Sequence, residues 1–76
     1  MANITVTVRF GGTNSLDREV AEGSTVGQVA NQNVKLALGV NTPVRSLIDG
    51  VELSDSHVVE DGDVIDLETV ANRKAS

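Results

Sequence analysis

The 76-residue sequence contains no cysteine, one proline and one aromatic residue, and two of these scarcities limit its structure and chemistry. Without cysteine there is no disulfide framework, no thiolate metal site and no thiol nucleophile. Because Phe10 is the only aromatic residue, the core has to be built mainly from Val, Ile, Leu and Ala. A chain of this length has room for one small domain, so we expect no deep catalytic cavity.

Basic residues are also few. Six Lys and Arg stand against eleven Asp and Glu, which gives a net charge of −5. Phosphate backbones and anionic membrane surfaces repel an acidic chain, so we expect neither nucleic acid nor a membrane as a partner.

Long apolar runs are absent as well. Residues 1–8 alternate polar with apolar side chains and lack the basic start and apolar run of a signal peptide. No later stretch approaches the roughly 20 apolar residues of a membrane span. We therefore expect a soluble protein of the cytoplasm, or of a virion if a phage encodes it.

The first 21 residues predict a β-hairpin. Apolar residues alternate with polar ones from Asn3 to Phe10, which is the period of a half-buried strand. Residues 11–14 supply a turn, and the alternation then resumes, so we place strands at about 3–10 and 15–21. Arg18 takes an inward position on the second strand, which marks an edge strand whose long side chain covers the margin of the core.

The middle of the chain predicts helical structure. Thr25 and Gln28 have the spacing of a capping box, so a helix should begin at Val26. Apolar residues then recur at helical spacing, at Val26, Val29, Ala30, Val34, Ala37 and Leu38. Gly39 occupies the position of a C′ glycine.

An Asn-Gln-Asn segment at residues 31–33 interrupts this helical pattern. Asn33 could cap a fresh turn, so one helix over 26–38 and two short helices both fit. A strand that includes Val34, Leu36, Leu38 and Val40 is the competing interpretation.

The last third of the chain predicts three more strands. Thr42-Pro43 favours extended backbone, and the apolar run at 44–48 ends at Asp49-Gly50, a strong turn signal before a return strand at 51–53. Residues 64–68 form the final strand, with Ile65 and Leu67 directed inward. Asp61-Gly62-Asp63 precedes it and lacks the ligand spacing of an EF-hand, so we interpret it as a turn.

This order of elements is that of the β-grasp fold, and short segments strengthen the match. The sequence resembles the ubiquitin-like superfamily, most closely the bacterial sulfur-carrier branch of thiamine and molybdopterin synthesis. The resemblance lies in the opening hairpin, Gly23-Ser24-Thr25-Val26, Leu47-Ile48-Asp49-Gly50-Val51 and Glu60-Asp61-Gly62-Asp63-Val64-Ile65. It implies an α+β domain over residues 1–70, with a mixed four- to five-stranded sheet packed on one helix and a polar tail at 71–76.

The sulfur carriers work through a C-terminal Gly-Gly, whose carboxylate is adenylated. Here no glycine follows Gly62, and the sequence ends Asn72-Arg73-Lys74-Ala75-Ser76. We therefore expect no enzymatic activity, no cofactor and no small-molecule substrate, with an atypical sulfur carrier or modifier as the alternative. His57 follows Asp55 and Ser56, but neighbours in one loop do not point at one another, so we predict no catalytic site.

Two surfaces are candidates for binding a partner protein. Leu47 has the opposite parity to Ile48, so Leu47 should face outward near Thr5, Thr7 and Arg9. The resemblance implies that this outer face is a recognition surface. Arg73 and Lys74 in the tail form the second candidate.

The charge distribution adds a further expectation. Eight acids and no Lys or Arg lie from Asp49 to Glu68, so one side of the molecule should be acidic. That side could keep the protein soluble, dock a basic partner or bind the basic tail of another copy. The expected function is thus a non-catalytic interaction or structural module, for example a small acidic subunit that decorates a viral shell.

Overall fold

The computed structural model describes residues 2–11 and 13–70. Its elements are β1 (Asn3–Phe10), β2 (Asn14–Ala21), α1 (Val26–Val29), α2 (Gln32–Ala37), β3 (Val44–Ile48), β4 (Val51–Leu53) and β5 (Val64–Thr69). The strands form one sheet in the order β2-β1-β5-β3-β4. β1 and β5 are parallel and the other neighbours are antiparallel, so the predicted mixed sheet is confirmed.

The opening hairpin follows from the alternation of residues in β1 and β2. Ile4, Val6 and Val8 are buried, and the eight residues of β1 pair with β2 without a bulge. β2 is an edge strand, and Arg18 lies opposite Val6 on the core side, as predicted. Arg18 is half-buried.

The helical region is two short helices rather than the single helix of the fold prediction. α1 begins with the predicted capping box, in which the Thr25 N–H donates to Gln28 Oε1 at 2.9 Å. The first helix ends at Ala30. The second begins after Asn31, whose Oδ1 accepts a hydrogen bond from the Val34 N–H at 3.0 Å. The cap of α2 is therefore Asn31 and not Asn33, because the Asn31 backbone is extended whereas Asn33 lies inside the helix.

The end of α2 confirms one prediction and corrects two. Gly39 has a φ of +83°, the left-handed conformation expected of a C′ glycine. The alternative strand from Val34 to Val40 is wrong, because residues 32–37 are helical. Ala37 is exposed, so it does not belong to the buried side of the helix.

One Asp-Gly turn connects β3 to β4, and a second precedes β5. Asp49 and Gly50 have φ values of +54° and +81°, which fits the tight two-residue connection between β3 and β4. In the second turn Asp61 Oδ1 accepts from the Thr5 N–H at 2.9 Å, and the Gly62 N–H donates to the Thr5 carbonyl at 2.8 Å. These bonds tie the turn before β5 to β1, so Asp61-Gly62-Asp63 is a turn, as predicted.

The core lies between the two helices and one side of the sheet, and it is aliphatic. Its buried members are Ile4, Val6, Val8, Val26, Val29, Ala30, Val34, Leu38, Val40, Val59, Ile65 and Leu67. The inward directions predicted for Ile65 and Leu67 are confirmed. Because both helices contribute to this cluster, the opposite side of the sheet carries neither of them.

Candidate interaction surface

We call the side of the sheet opposite the helices the outer face. It carries side chains from all five strands, including Thr5, Thr7, Arg9, Asp17, Glu19, Arg45, Leu47, Glu52, Asp66 and Glu68. The register aligns Glu52, Leu47, Asp66 and Arg9 in one row across β4, β3, β5 and β1. The fold therefore brings Arg9 and Asp66, which are 57 positions apart in the sequence, into contact.

The position of Leu47 on the outer face agrees with the parity argument, but its expected neighbours are partly wrong. β5 lies between β3 and β1, so Leu47 is paired with Asp66 and not with a residue of β1. Arg9 is one strand further away in the same row. Thr5 and Thr7 belong to other rows of β1, and the Thr7 hydroxyl donates to Asp17 Oδ1 at 2.8 Å.

Leu47 is also much less accessible than an outward position suggests. Only 7% of its surface is exposed, although it does not belong to the aliphatic core cluster. Glu52 and Asp66 lie directly beside it, at the cross-strand spacing of about 5 Å. Polar neighbours thus surround an apolar side chain at the centre of the outer face, and its role in binding stays a prediction.

Three ion pairs connect neighbouring strands on the outer face. Arg9 Nε lies 2.7 Å from Asp66 Oδ1, and Arg45 reaches Glu68 at 2.9 Å and Glu52 at 3.7 Å. The hydrogen bond from Arg9 to Asp66, and then the charge of Asp66, raise the pKa of the Arg9 guanidinium above its ordinary value. Exposed pairs of this kind add little to stability.

The acidic stretch does not form the single acidic side that its composition suggests. Glu52, Asp66 and Glu68 are paired with arginines on the outer face. Asp61 and Asp63 accept hydrogen bonds from the backbone N–H groups of Thr5 and Glu60. Since five of the eight carboxylates have these partners, the charges are divided between turns and the outer face.

The loop around His57 is tied to the start of α1 through its backbone. The Val26 N–H donates to the His57 carbonyl at 2.8 Å, and the Gly27 N–H donates to the Asp55 carbonyl at 2.9 Å. A Cβ on residue 27 would lie 3.0 Å from Asp55 Cβ, so glycine permits this close approach. The sequence alone gave no sign that this loop caps the helix.

The remaining candidates for chemistry are limited. Within residues 2–11 and 13–70 no three His, Asp or Glu side chains are grouped so that they could hold a metal ion. No helix in this part of the chain has the length and apolar character needed to cross a bilayer. The predicted tail residues Arg73 and Lys74 lie outside the described residues.

The structure shows contacts of two arginines that could not be predicted from the sequence. Arg45 of β3 forms ion pairs with Glu52 of β4 and Glu68 of β5. The only sign of these pairs in the sequence was an arginine on one predicted strand and acidic residues on the next two. Arg18 has a buried Nε without a hydrogen-bond partner among the described residues. Sequence reasoning placed Arg18 at the core margin but could not reveal its unpaired donor.

Comparison with solved structures identifies the fold. The ubiquitin of Caldiarchaeum subterraneum aligns with 26% identity and a TM-score of 0.63, over 93% of this chain and 100% of that chain. A protein designed de novo on the basis of ubiquitin aligns with 18% identity and a TM-score of 0.71, over 97% and 96% of the two chains. The ubiquitin-like domain of an Arabidopsis thaliana protein aligns with 23% identity and a TM-score of 0.62, over 100% and 87%.

These similarities define an α+β protein with the ubiquitin-like β-grasp fold. No protein-family model matches the sequence, and no curated protein sequence matches it significantly. The fold prediction is therefore confirmed, while the sulfur-carrier branch stays a prediction.

Proposed function

We propose that this protein is a non-catalytic interaction module that binds another protein through its outer face. The observation that carries the proposal is the placement of both helices on the opposite side of the sheet. This leaves the outer face, with its exposed Arg9 and Arg45, uncovered within the described residues. Fold alone does not define a function, and this uncovered surface is the feature that supports an interaction role.

The charges on the outer face indicate the kind of partner. Arg45 lies between Glu52 and Glu68, and Arg9 lies beside Asp66, so positive and negative groups alternate along the surface. A partner has to present the reverse pattern, because like charges brought together on binding are costly. Leu47 offers little apolar area, so recognition depends mainly on polar groups.

The setting of this interaction is part of the proposal. The partner is a second protein in the cytoplasm, or neighbouring subunits of an assembly such as a virion shell.

Truncation after Val70 removes Arg73 and Lys74 and tests the tail as the rival surface. If the tail binds by charge, the loss of binding on truncation shrinks as salt is added.

A charge reversal with a matched control tests the outer face. Protein captured from extracts of the source cells is identified, purified and titrated against the wild-type chain, Arg45→Glu and Lys35→Glu. Lys35 lies on α2, on the other side of the sheet, and the two substitutions change the net charge equally. We expect Arg45→Glu to weaken binding by about tenfold or more and Lys35→Glu to leave it unchanged. Equal affinities of all three chains, with circular dichroism unchanged, contradict the proposal.

A carrier or modifier is the second candidate, and the similarity to an archaeal ubiquitin favours testing it. Its chemistry takes place at the C-terminal carboxylate, which lies outside the described residues. Intact mass is measured after incubation with ATP, an adenylating enzyme and a sulfur donor. Exchange of one oxygen for sulfur supports the carrier, and an unchanged mass contradicts it.

A further inference from the structure

The two edges of the sheet differ in how they are protected against pairing with another strand. β4 is an edge of only three residues, whereas β2 is an edge of eight residues with a continuous register to β1. Among the described residues, the backbone of Ser15 to Val20 makes no hydrogen bond apart from those to β1. β2 contains no proline, lysine or bulge, so its charged residues, above all the inward-pointing Arg18, are what protects this edge against unselective pairing.

The core side of β2 contains an unsatisfied donor. Leu16, Arg18 and Val20 lie half-buried along this side, and they form a strip of two apolar residues around one arginine. The Nε of Arg18 is inaccessible to solvent and has no acceptor among the described residues. A buried donor without an acceptor costs free energy, so an acceptor delivered by a partner at this position strengthens binding.

The other side of β2 carries negative charge. Asp17 and Glu19 are exposed and point to the outer side of the sheet. They accept hydrogen bonds from Thr7 and Asn3 of β1, and neither forms an ion pair with a described residue. The free edge is thus acidic on one side and apolar with a central cation on the other.

We propose that the free edge of β2 binds an extended segment of another protein with the pattern apolar-basic-acidic-basic-apolar. In an antiparallel pairing, the two apolar residues extend the strip of Leu16 and Val20, and the acidic residue meets Arg18. The two basic residues lie opposite Asp17 and Glu19, because directly paired residues share one side of the sheet. The backbone edge and Arg18 lie outside the outer face, and only Asp17 and Glu19 belong to it. Shifts along residues 14–21 therefore distinguish this binding from the proposed function, whose shifts centre on Arg9, Arg45 and Glu68.

A second copy of this chain fits the edge poorly. A symmetric antiparallel pair of β2 strands centred on Arg18 brings the two arginines together and places Asp17 opposite Glu19 of the other copy. Centring the pair on Asp17 brings two aspartates together instead. Like charges directly opposite each other are destabilising, so the edge favours a different sequence over its own.

Synthetic peptides provide the test. The probe is a capped peptide containing Val-Lys-Glu-Lys-Val, and the controls replace the central Glu with Leu or both Lys with Glu. Titration into the full ¹⁵N-labelled chain is followed by amide shifts and by the Nε–H signal of Arg18. We expect shifts along residues 14–21 and a displaced Arg18 Nε–H signal, with each control peptide binding about tenfold more weakly.

Two variants test whether the Arg18 donor selects the acidic residue of the peptide. Arg18→Met retains a long apolar side chain but removes the donor, so it should bind the Glu and Leu peptides equally. Lys35→Met, on α2, should keep the wild-type preference. Absence of shifts along β2, shifts confined to another surface, or a preference for the Glu peptide that survives in Arg18→Met would overturn the proposal. Circular dichroism checks that each variant is folded.

Discussion

The two sides of the sheet bury apolar side chains by different means. On the core side Ile65 is fully buried within a cluster of aliphatic residues. On the outer face Leu47 is almost as inaccessible, but its paired neighbours are Glu52 and Asp66. A buried leucine therefore does not mark the core by itself, since polar neighbours surround one here.

The largest effect should come from the core side. Ile65→Ala leaves a cavity in the centre of the aliphatic cluster, and we expect unfolding to become easier by about 4 kcal/mol. Urea denaturation measured by circular dichroism gives this value. A loss below about 1 kcal/mol would mean that the cluster does not hold the sheet against the helices.

Leu47→Ala should have an intermediate effect. Its burial predicts a loss of about 2 kcal/mol, the lower end of the range for leucines, because it lies outside the aliphatic cluster. Leu47→Asp should cost more than the alanine variant, because it places a carboxylate beside Glu52 and Asp66. If urea denaturation shows both variants to be as stable as wild type, the side chain is exposed in solution.

The smallest effect should come from Arg45. Its side chain is 45% exposed, and exposed ion pairs contribute only about 0.2–1 kcal/mol. Arg45→Met should therefore change the urea midpoint very little, and added salt should reduce the difference further. A loss as large as that of Leu47→Ala would show that Arg45 is essential to the fold, which would leave it less suited to recognition.

The sequence predicted the elements well because their signals are local. The alternation of β1, the capping box at Thr25 and the Asp49-Gly50 turn are each written within a few residues, and the structure has all three. The Asn-Gln-Asn segment fits one helix or two, and the cap that it suggested, Asn33, is wrong because Asn31 caps α2.

The candidate surface could be predicted only in part, because it depends on strand order. Parity gave the outward direction of Leu47, but only the pairing β1-β5-β3 shows that Asp66 separates it from Arg9. The burial of Leu47 and the unpaired Nε of Arg18 result from packing between residues far apart in the sequence. No local pattern contains that information.

The most direct test of the proposed function is a map of the bound state. The purified partner protein is titrated into the ¹⁵N-labelled chain, and amide shifts are assigned along both sides of the sheet. We expect the largest shifts at Arg9, Arg45 and Glu68, with small shifts at the helical residues 26–37. Large shifts on α1 and α2 with an unchanged outer face would contradict it.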